Sequence, residues 1–230
     1  MTMQNSLVGI GLYSIPEAAR LARASRTDIA RWMFGHDYKA HGERRHADPV
    51  AGEQLSVDDV KTLSFYDLLE VRLVRELRES GVSLQAIRKA ALNAKQLFNS
   101  THPFVLRRIQ TDGRNIFAQA ANDTGDDKLL DLVRKQYAFK KILETSLVKG
   151  VEFSNDVASR WYPVPNSRAV VLDPLRNFGK PTIAKCGVPT WTIYQAYLAE
   201  DRDRARTARI YDVTSRAVDH AVRFESDLVH

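Results

Sequence analysis

Apolar residues recur at helical spacing through most of the chain, and short polar signals mark where each run begins and ends. Ile15, Ala18, Ala19 and Ala22 give one narrow apolar face, and Ile29, Trp32 and Met33 give a second. Ser14 with Glu17 three residues on reads as a capping box, Pro16 fits the first turn, and Ser25 with Asp28 repeats the pattern. Two short helices therefore lie within residues 13–35, separated only by Arg23 and Ala24. Ser64 and Asp67 cap a longer helix whose residues Phe65, Leu68, Leu69, Leu73, Val74 and Leu77 make a broad apolar stripe, closed by Gly81. Ser83 opens another, with Leu84, Ile87, Ala91, Ala94 and Phe98 on one side.

Beyond residue 100 the pattern is mixed. Residues 105–111 and 114–120 flank Asp112-Gly113, a hairpin signal, so a strand pair is expected after His102-Pro103-Phe104. Residues 122–127 read as a polar loop. Residues 129–148 read as one helix with Leu130, Val133, Tyr137 and Ile142 inward and Arg134, Lys135, Lys140 and Lys141 on a basic face. A second hairpin is expected from 161–164 and 168–173 around Pro165-Asn166-Ser167. Gly179, Pro181, Gly187 and Pro189 then punctuate the chain before three helical patterns at 192–200, 203–211 and 214–228. The expected fold is mainly α with minor β. It divides into a helix-turn-helix domain at 1–100, a connecting segment at 101–173 and a three-helix domain at 174–230.

Composition narrows the class without naming a function. The chain has 230 residues, 44% hydrophobic and 27% charged, which describes a globular protein large enough for two modest domains. One cysteine, Cys186, precludes an internal disulfide and suits a reducing compartment. No signal peptide or membrane span is legible, so a cytoplasmic protein is expected. The formal charge of +6 favours an anionic partner. Residues 17–45 hold seven arginines and lysines against four acids, whereas 200–230 hold six arginines against seven acids.

That local excess falls on the helix-turn-helix pattern. Ser25, Arg26 and Thr27 start the second helix and Arg31 follows; hydroxyls and guanidiniums there suit phosphates and guanine edges. The polar loop at 36–54 carries Lys39, Arg44 and Arg45, placed where a β-wing would grip phosphate. The plainer reading is a helical hairpin in an ordinary core beside a solvated loop. His36, His41 and His46 recur without a metal-ligand pattern and read as loop residues.

No nucleophile elbow, zinc-protease motif, dinucleotide fingerprint or Cys/His cluster is present, and Gly179-Lys180 lacks the spacing of a phosphate-binding loop. Asp126, Asp127 and Asp131 could be imagined around magnesium, but acids at a helix start need no metal. No enzyme, cofactor or metal is expected.

Tyr13-Ser14-Ile15-x-Glu17-x-Ala19, Ser25-Arg26-Thr27, Arg31-Trp32 and Gly81-Val82-Ser83-Leu84-x-x-Ile87 together resemble MerR-like winged helix-turn-helix proteins. The resemblance implies DNA contacts from Ser25, Arg26, Thr27, Arg31, Trp32, Arg44 and Arg45. Arg23 departs from it, standing where such turns often hold glycine. Over nearly the whole chain, Leu63-Ser64-Phe65-x-Asp67-Leu68-x-Glu70, His102-Pro103-Phe104, Thr111-Asp112-Gly113-Arg114 and the Gly-Lys-Pro at 179–181 resemble VapB-type antitoxins with a small C-terminal helical domain. Lys185-Cys186-Gly187 departs from that domain's common Gly-Thr-Arg. The resemblance implies an antitoxin of a type II toxin-antitoxin system that autoregulates at double-stranded operator DNA and sequesters a PIN-like ribonuclease; because one recognition helix buries little surface, a homodimer on two half-sites is expected.

Such a nuclease clusters carboxylates, so Arg202, Arg204, Arg206 and Arg209, followed by Arg216 and Arg223, are candidates to meet it. Glu200, Asp201 and Asp203 could instead satisfy those arginines internally. The alternative function is a stand-alone MerR-like regulator responding to a small effector.

Overall fold

Serine hydroxyls start the first four helices. In the computed structural model, which describes residues 9–40, 42–50 and 55–229, Ser14, Ser25, Ser64 and Ser83 all take extended backbone and accept from the amide three residues on. These caps open α1 (Ile15–Ala22), α2 (Arg26–Phe34), α3 (Phe65–Glu79) and α4 (Leu84–Phe98). Ser14 and Ser64 complete reciprocal capping boxes with Glu17 and Asp67. At α2 the box is half made: Asp28 takes the Ser25 hydroxyl at 2.7 Å.

The chain divides into two compact units. The first comprises Tyr13–Lys149 and Phe153–Ala158. Its centre is α3, whose Phe65, Leu68, Val71, Leu73, Val74 and Leu77 are completely buried. Helix α1 crosses α2 through the turn at Arg23, which is left-handed (φ 53°, ψ 46°) and donates its amide to the carbonyls of Ala19 and Arg20. Gly81, also left-handed, terminates α3 as its C′ residue. Strands β1 (Tyr13–Ser14), β4 (Leu55–Val57) and β5 (Val60–Leu63) make an antiparallel sheet in the order β1-β5-β4. Between them, β2 (His36–Ala40) and β3 (Glu43–Ala47) pair as a hairpin, so His36 and His46 lie on strands rather than in a loop. His41 lies outside the described residues.

The expected hairpin around Asp112-Gly113 is not formed. One helix, α5, runs from Ile109 to Thr124 and packs on α4. Its buried residues Ile109, Ile116, Phe117, Ala120 and Ala121 follow a helical period, and the adjacent Ile116 and Phe117 break strand alternation. Asp112 sits in the first turn, where an acid is favoured by the helix dipole. Gly113 is buried against the helix's own Ile109 and against Leu143. Burial of a whole helix face has overridden a two-residue turn signal.

The polar stretch at 122–127 is likewise mostly structured: α5 continues to Thr124, Gly125 ends it in the left-handed region, and Asp126 caps the next helix. The single helix expected at 129–148 is instead α6 (Asp127–Arg134), α7 (Gln136–Leu143) and a π-turn at Glu144–Val148. Lys135 (φ −77°, ψ 72°) breaks the helix and shifts its phase. Tyr137, expected inward, is therefore 93% exposed, and Phe139 fills the core, edge-on to Phe117 at 5.3 Å.

Among the described residues, the second unit comprises 9–12, 150–152 and 159–229. Strands β6 (Val151–Ser154) and β7 (Val157–Trp161) pair through Asn155-Asp156, both at positive φ, a hairpin absent from the sequence reading whose residues 153–158 are counted with the first unit. The hairpin expected between 161–164 and 168–173 shrinks to one bridge, Trp161 with Leu172. Val170 and Val171 form β8 and pair instead with β9 (Thr182–Ile183). All four of these residues are buried, so the strand carries no polar face to hold it at a surface hairpin. Helices α8 (Thr190–Ala199), α9 (Arg204–Ile210) and α10 (Ser215–Val229) form the expected three-helix unit. Buried Thr190 donates its hydroxyl to buried Glu225 at 2.5 Å, tying the start of α8 to α10.

Two substitutions check this account by chemical denaturation. Arg23→Gly relieves a left-handed side chain and should stabilise the chain by about 1 kcal/mol. Gly113→Ala should also stabilise, by about 0.5–1 kcal/mol, because it improves a helix interior. Its new Cβ would meet Leu143 at an ordinary 3.4 Å. A hairpin at Asp112-Gly113 would give the opposite sign, since its turn needs positive φ there.

Candidate nucleic-acid interface

The exposed start of α2 is formed by Ser25, Arg26 and Thr27, all on the solvent side of Ile29 and Trp32. The Ser25 hydroxyl is already engaged, accepting from the Asp28 amide at 3.0 Å. Arg26 and Thr27 remain accessible. Trp32 is only 5% exposed and packs in the core with Ile29, Met33 and Phe34, so its ring is not presented at the surface.

Arg31 is exposed further along α2 and donates from Nε to His36 Nε2 at 3.1 Å. That bond joins the end of α2 to the start of the β2–β3 hairpin. The hairpin register sets Lys39 opposite Arg44 and Tyr38 opposite Arg45. Side chains alternate along a strand, so the two arginines project to opposite faces. Arg44 is partly spent: its Nε lies 3.1 Å from Asp37 Oδ2. Asp37 also receives His46 at 2.8 Å, and these bonds, first from His46 and then from Arg44, hold its carboxyl below the usual range. Arg45 is exposed and only loosely associated with Glu43 at 3.6 Å.

A residue that the sequence reading missed completes this surface. Arg88, near the start of α4, donates from Nε to the Asp48 carbonyl at 2.6 Å. Burial lowers its pKa and the nearby Arg31 lowers it further. The same neighbours act on His36, whose pKa falls through desolvation and then through Arg31 and Arg88. Arg31 and Arg88 thus bring positive charge from α2 and α4 to either side of His36, whose ring is held in its neutral form. Arg88 directly follows the phrase that runs from Gly81 to Ile87, but nothing in the sequence brings it beside α2.

The C-terminal arginines divide into two sets. Arg204 NH1 lies 2.9 Å from Asp219, and Arg206 Nε lies 2.5 Å from Glu200. Asp203 caps α9, accepting from the amides of Ala205 and Arg206. Among the described residues, Arg202, Arg209, Arg216 and Arg223 are exposed and make no ion pair. Asp126, Asp127 and Asp131 do not gather: Asp126 accepts from Leu129 at 2.8 Å and from the Ser83 amide at 2.9 Å. Among the described residues, the group that could hold a metal is Asp67, Glu70 and His102.

No described helix is long and apolar enough to cross a membrane. No family model matches the chain. A protein of Mycobacterium tuberculosis strain H37Rv bearing the name "Putative antitoxin VapB45" is 28% identical over 199 residues, covering 78% of this chain and 79% of that one. The crystal structure of Rv2018 from Mycobacterium tuberculosis matches with a TM-score of 0.70 at 24% identity, over 94% of this chain and 99% of that one. The second likeness is one of fold.

Proposed function

We propose that this chain is the antitoxin of a type II toxin-antitoxin system, binding operator DNA and neutralising a PIN-like ribonuclease by direct contact. The observation that carries the reading is the similarity to the VapB45 protein over nearly four-fifths of both chains. The surface chemistry is consistent with it. Helices α1 and α2 with the β2–β3 hairpin are read as a winged helix-turn-helix, α2 being the recognition helix. Arg26 and Thr27 face base edges, while Arg31, Arg88 and Arg45 face phosphate. A phosphate would relieve the mutual repulsion of Arg31 and Arg88. One recognition helix buries little surface, so a homodimer on a two-fold operator is the working assembly, and it acts in the cytoplasm.

Two arginine substitutions test the DNA reading, with operator affinity measured by fluorescence anisotropy across a salt series. Arg26→Ala should cost about 1–3 kcal/mol on the operator and relax sequence preference. Arg31→Ala should weaken all sequences alike and reduce the salt slope by about one. Unchanged binding by both variants would remove α2 from the interface.

Toxin binding is assigned to the arginines without internal partners. The double variant Arg202→Glu/Arg209→Glu should weaken capture of the PIN-like nuclease at least tenfold, a loss of about 1.4 kcal/mol. Arg204→Ala should have little effect on capture because its guanidinium is held by Asp219. The reverse order of effects would reassign the surface.

A further inference from the structure

The sequence phrases around Asp67, Glu70 and His102 meet inside the first unit. Asp67 and Glu70 lie one turn apart on α3, and His102 immediately precedes a 3-10 turn at Pro103–Val105. Asp67 is 3% exposed and Glu70 is completely buried. His102 Nδ1 lies 3.2 Å from Glu70 Oε2 and 3.7 Å from Asp67 Oδ1. One ligating atom from each of the three residues falls within 4.8 Å of the others.

The remaining oxygens have assigned work. Asp67 Oδ2 accepts from the Ser64 amide at 2.8 Å and hydroxyl at 2.7 Å. Glu70 Oε1 accepts from the Phe104 amide at 3.3 Å. Asp67 Oδ1 is buried with no hydrogen-bond partner, and 3.7 Å to His102 is beyond hydrogen-bond reach. Two buried carboxylates beside one imidazole leave net negative charge even when the ring is protonated. A buried charge deficit of this kind is relieved by a cation.

We propose that Asp67 Oδ1, Glu70 Oε2 and His102 Nδ1 bind a divalent transition-metal ion of the zinc class. Ligands about 2.1 Å from a tetrahedral zinc stand roughly 3.4 Å apart, and the distances of 3.2 Å and 3.7 Å from His102 bracket that separation. Two carboxylates with one imidazole suit Zn²⁺ or Mn²⁺ rather than soft Cu⁺, which needs sulfur. The tight enclosure disfavours Mg²⁺, which keeps several waters. The ion would bridge α3 to the segment that opens α5, so its role is to hold the fold of this unit rather than to catalyse.

The test uses the full chain, stripped with chelator and dialysed. Zn²⁺ binding is measured by calorimetry, thermal melting is recorded with and without the ion, and Co²⁺ absorption reports the ligand field. The expected result is one ion per chain, a raised Tm reversed by chelator, and a tetrahedral Co²⁺ band. His102→Gln should weaken the ion at least tenfold, with Asp67→Asn as a second variant in case the first does not fold. As a control for adventitious binding by an exposed histidine, His46→Ala should leave binding unchanged. Failure of the parent chain to bind Zn²⁺, Mn²⁺ or Co²⁺, or loss of binding in His46→Ala, would overturn the proposal.

Discussion

The burial of α3 is the constraint on which the first unit depends. Its apolar residues occupy nearly every direction around the helix up to Leu77, so polar residues such as Asp67, Glu70 and Arg72 are drawn into the fold and must find partners there. Arg75 donates to the Ala22 carbonyl at 2.8 Å, which satisfies the end of α1. Arg72 donates to the Thr145 carbonyl at 2.9 Å, and burial holds its pKa down to about 9. Asp67 closes its own capping box, and Glu70 receives the Phe104 amide. One helix therefore fixes α1, the segment after α4 and the π-turn, each through a named hydrogen bond.

The surface follows from that core. With α1 held by Arg75 and the left-handed turn at Arg23, α2 is set with Ile29, Trp32 and Met33 inward and Arg26, Thr27 and Arg31 outward. The β2–β3 hairpin follows within two residues of α2, so its start falls beside Arg31. Internal pairing then decides which cations are available. Asp37 draws on Arg44, and Asp219 and Glu200 hold Arg204 and Arg206, leaving Arg45, Arg202 and Arg209 the less constrained ones. Exposed pairs of this kind contribute little to stability, so their main consequence is to remove charge from an interaction surface.

What the sequence determined by itself is the set of features whose cause lies within a few residues. The serine caps, the left-handed turn at Arg23, the stop at Gly81 and the three C-terminal helices were legible because cap and turn energies are local. The helix spanning Asp112-Gly113, the break at Lys135 and the re-pairing of Val170-Val171 were not, because burial against distant elements decided them. The same holds for the sites. Arg26 and Thr27 could be picked out from their place in a helix start, whereas Trp32 was surrendered to the core and Arg88 gained its place beside Arg31 only when α4 packed. The meeting of His102 with Asp67 and Glu70 spans more than thirty positions and rests on the burial of α3. Local hydrogen bonds can be read from spacing; long-range contacts depend on which apolar faces find each other, and only the tertiary structure decides that.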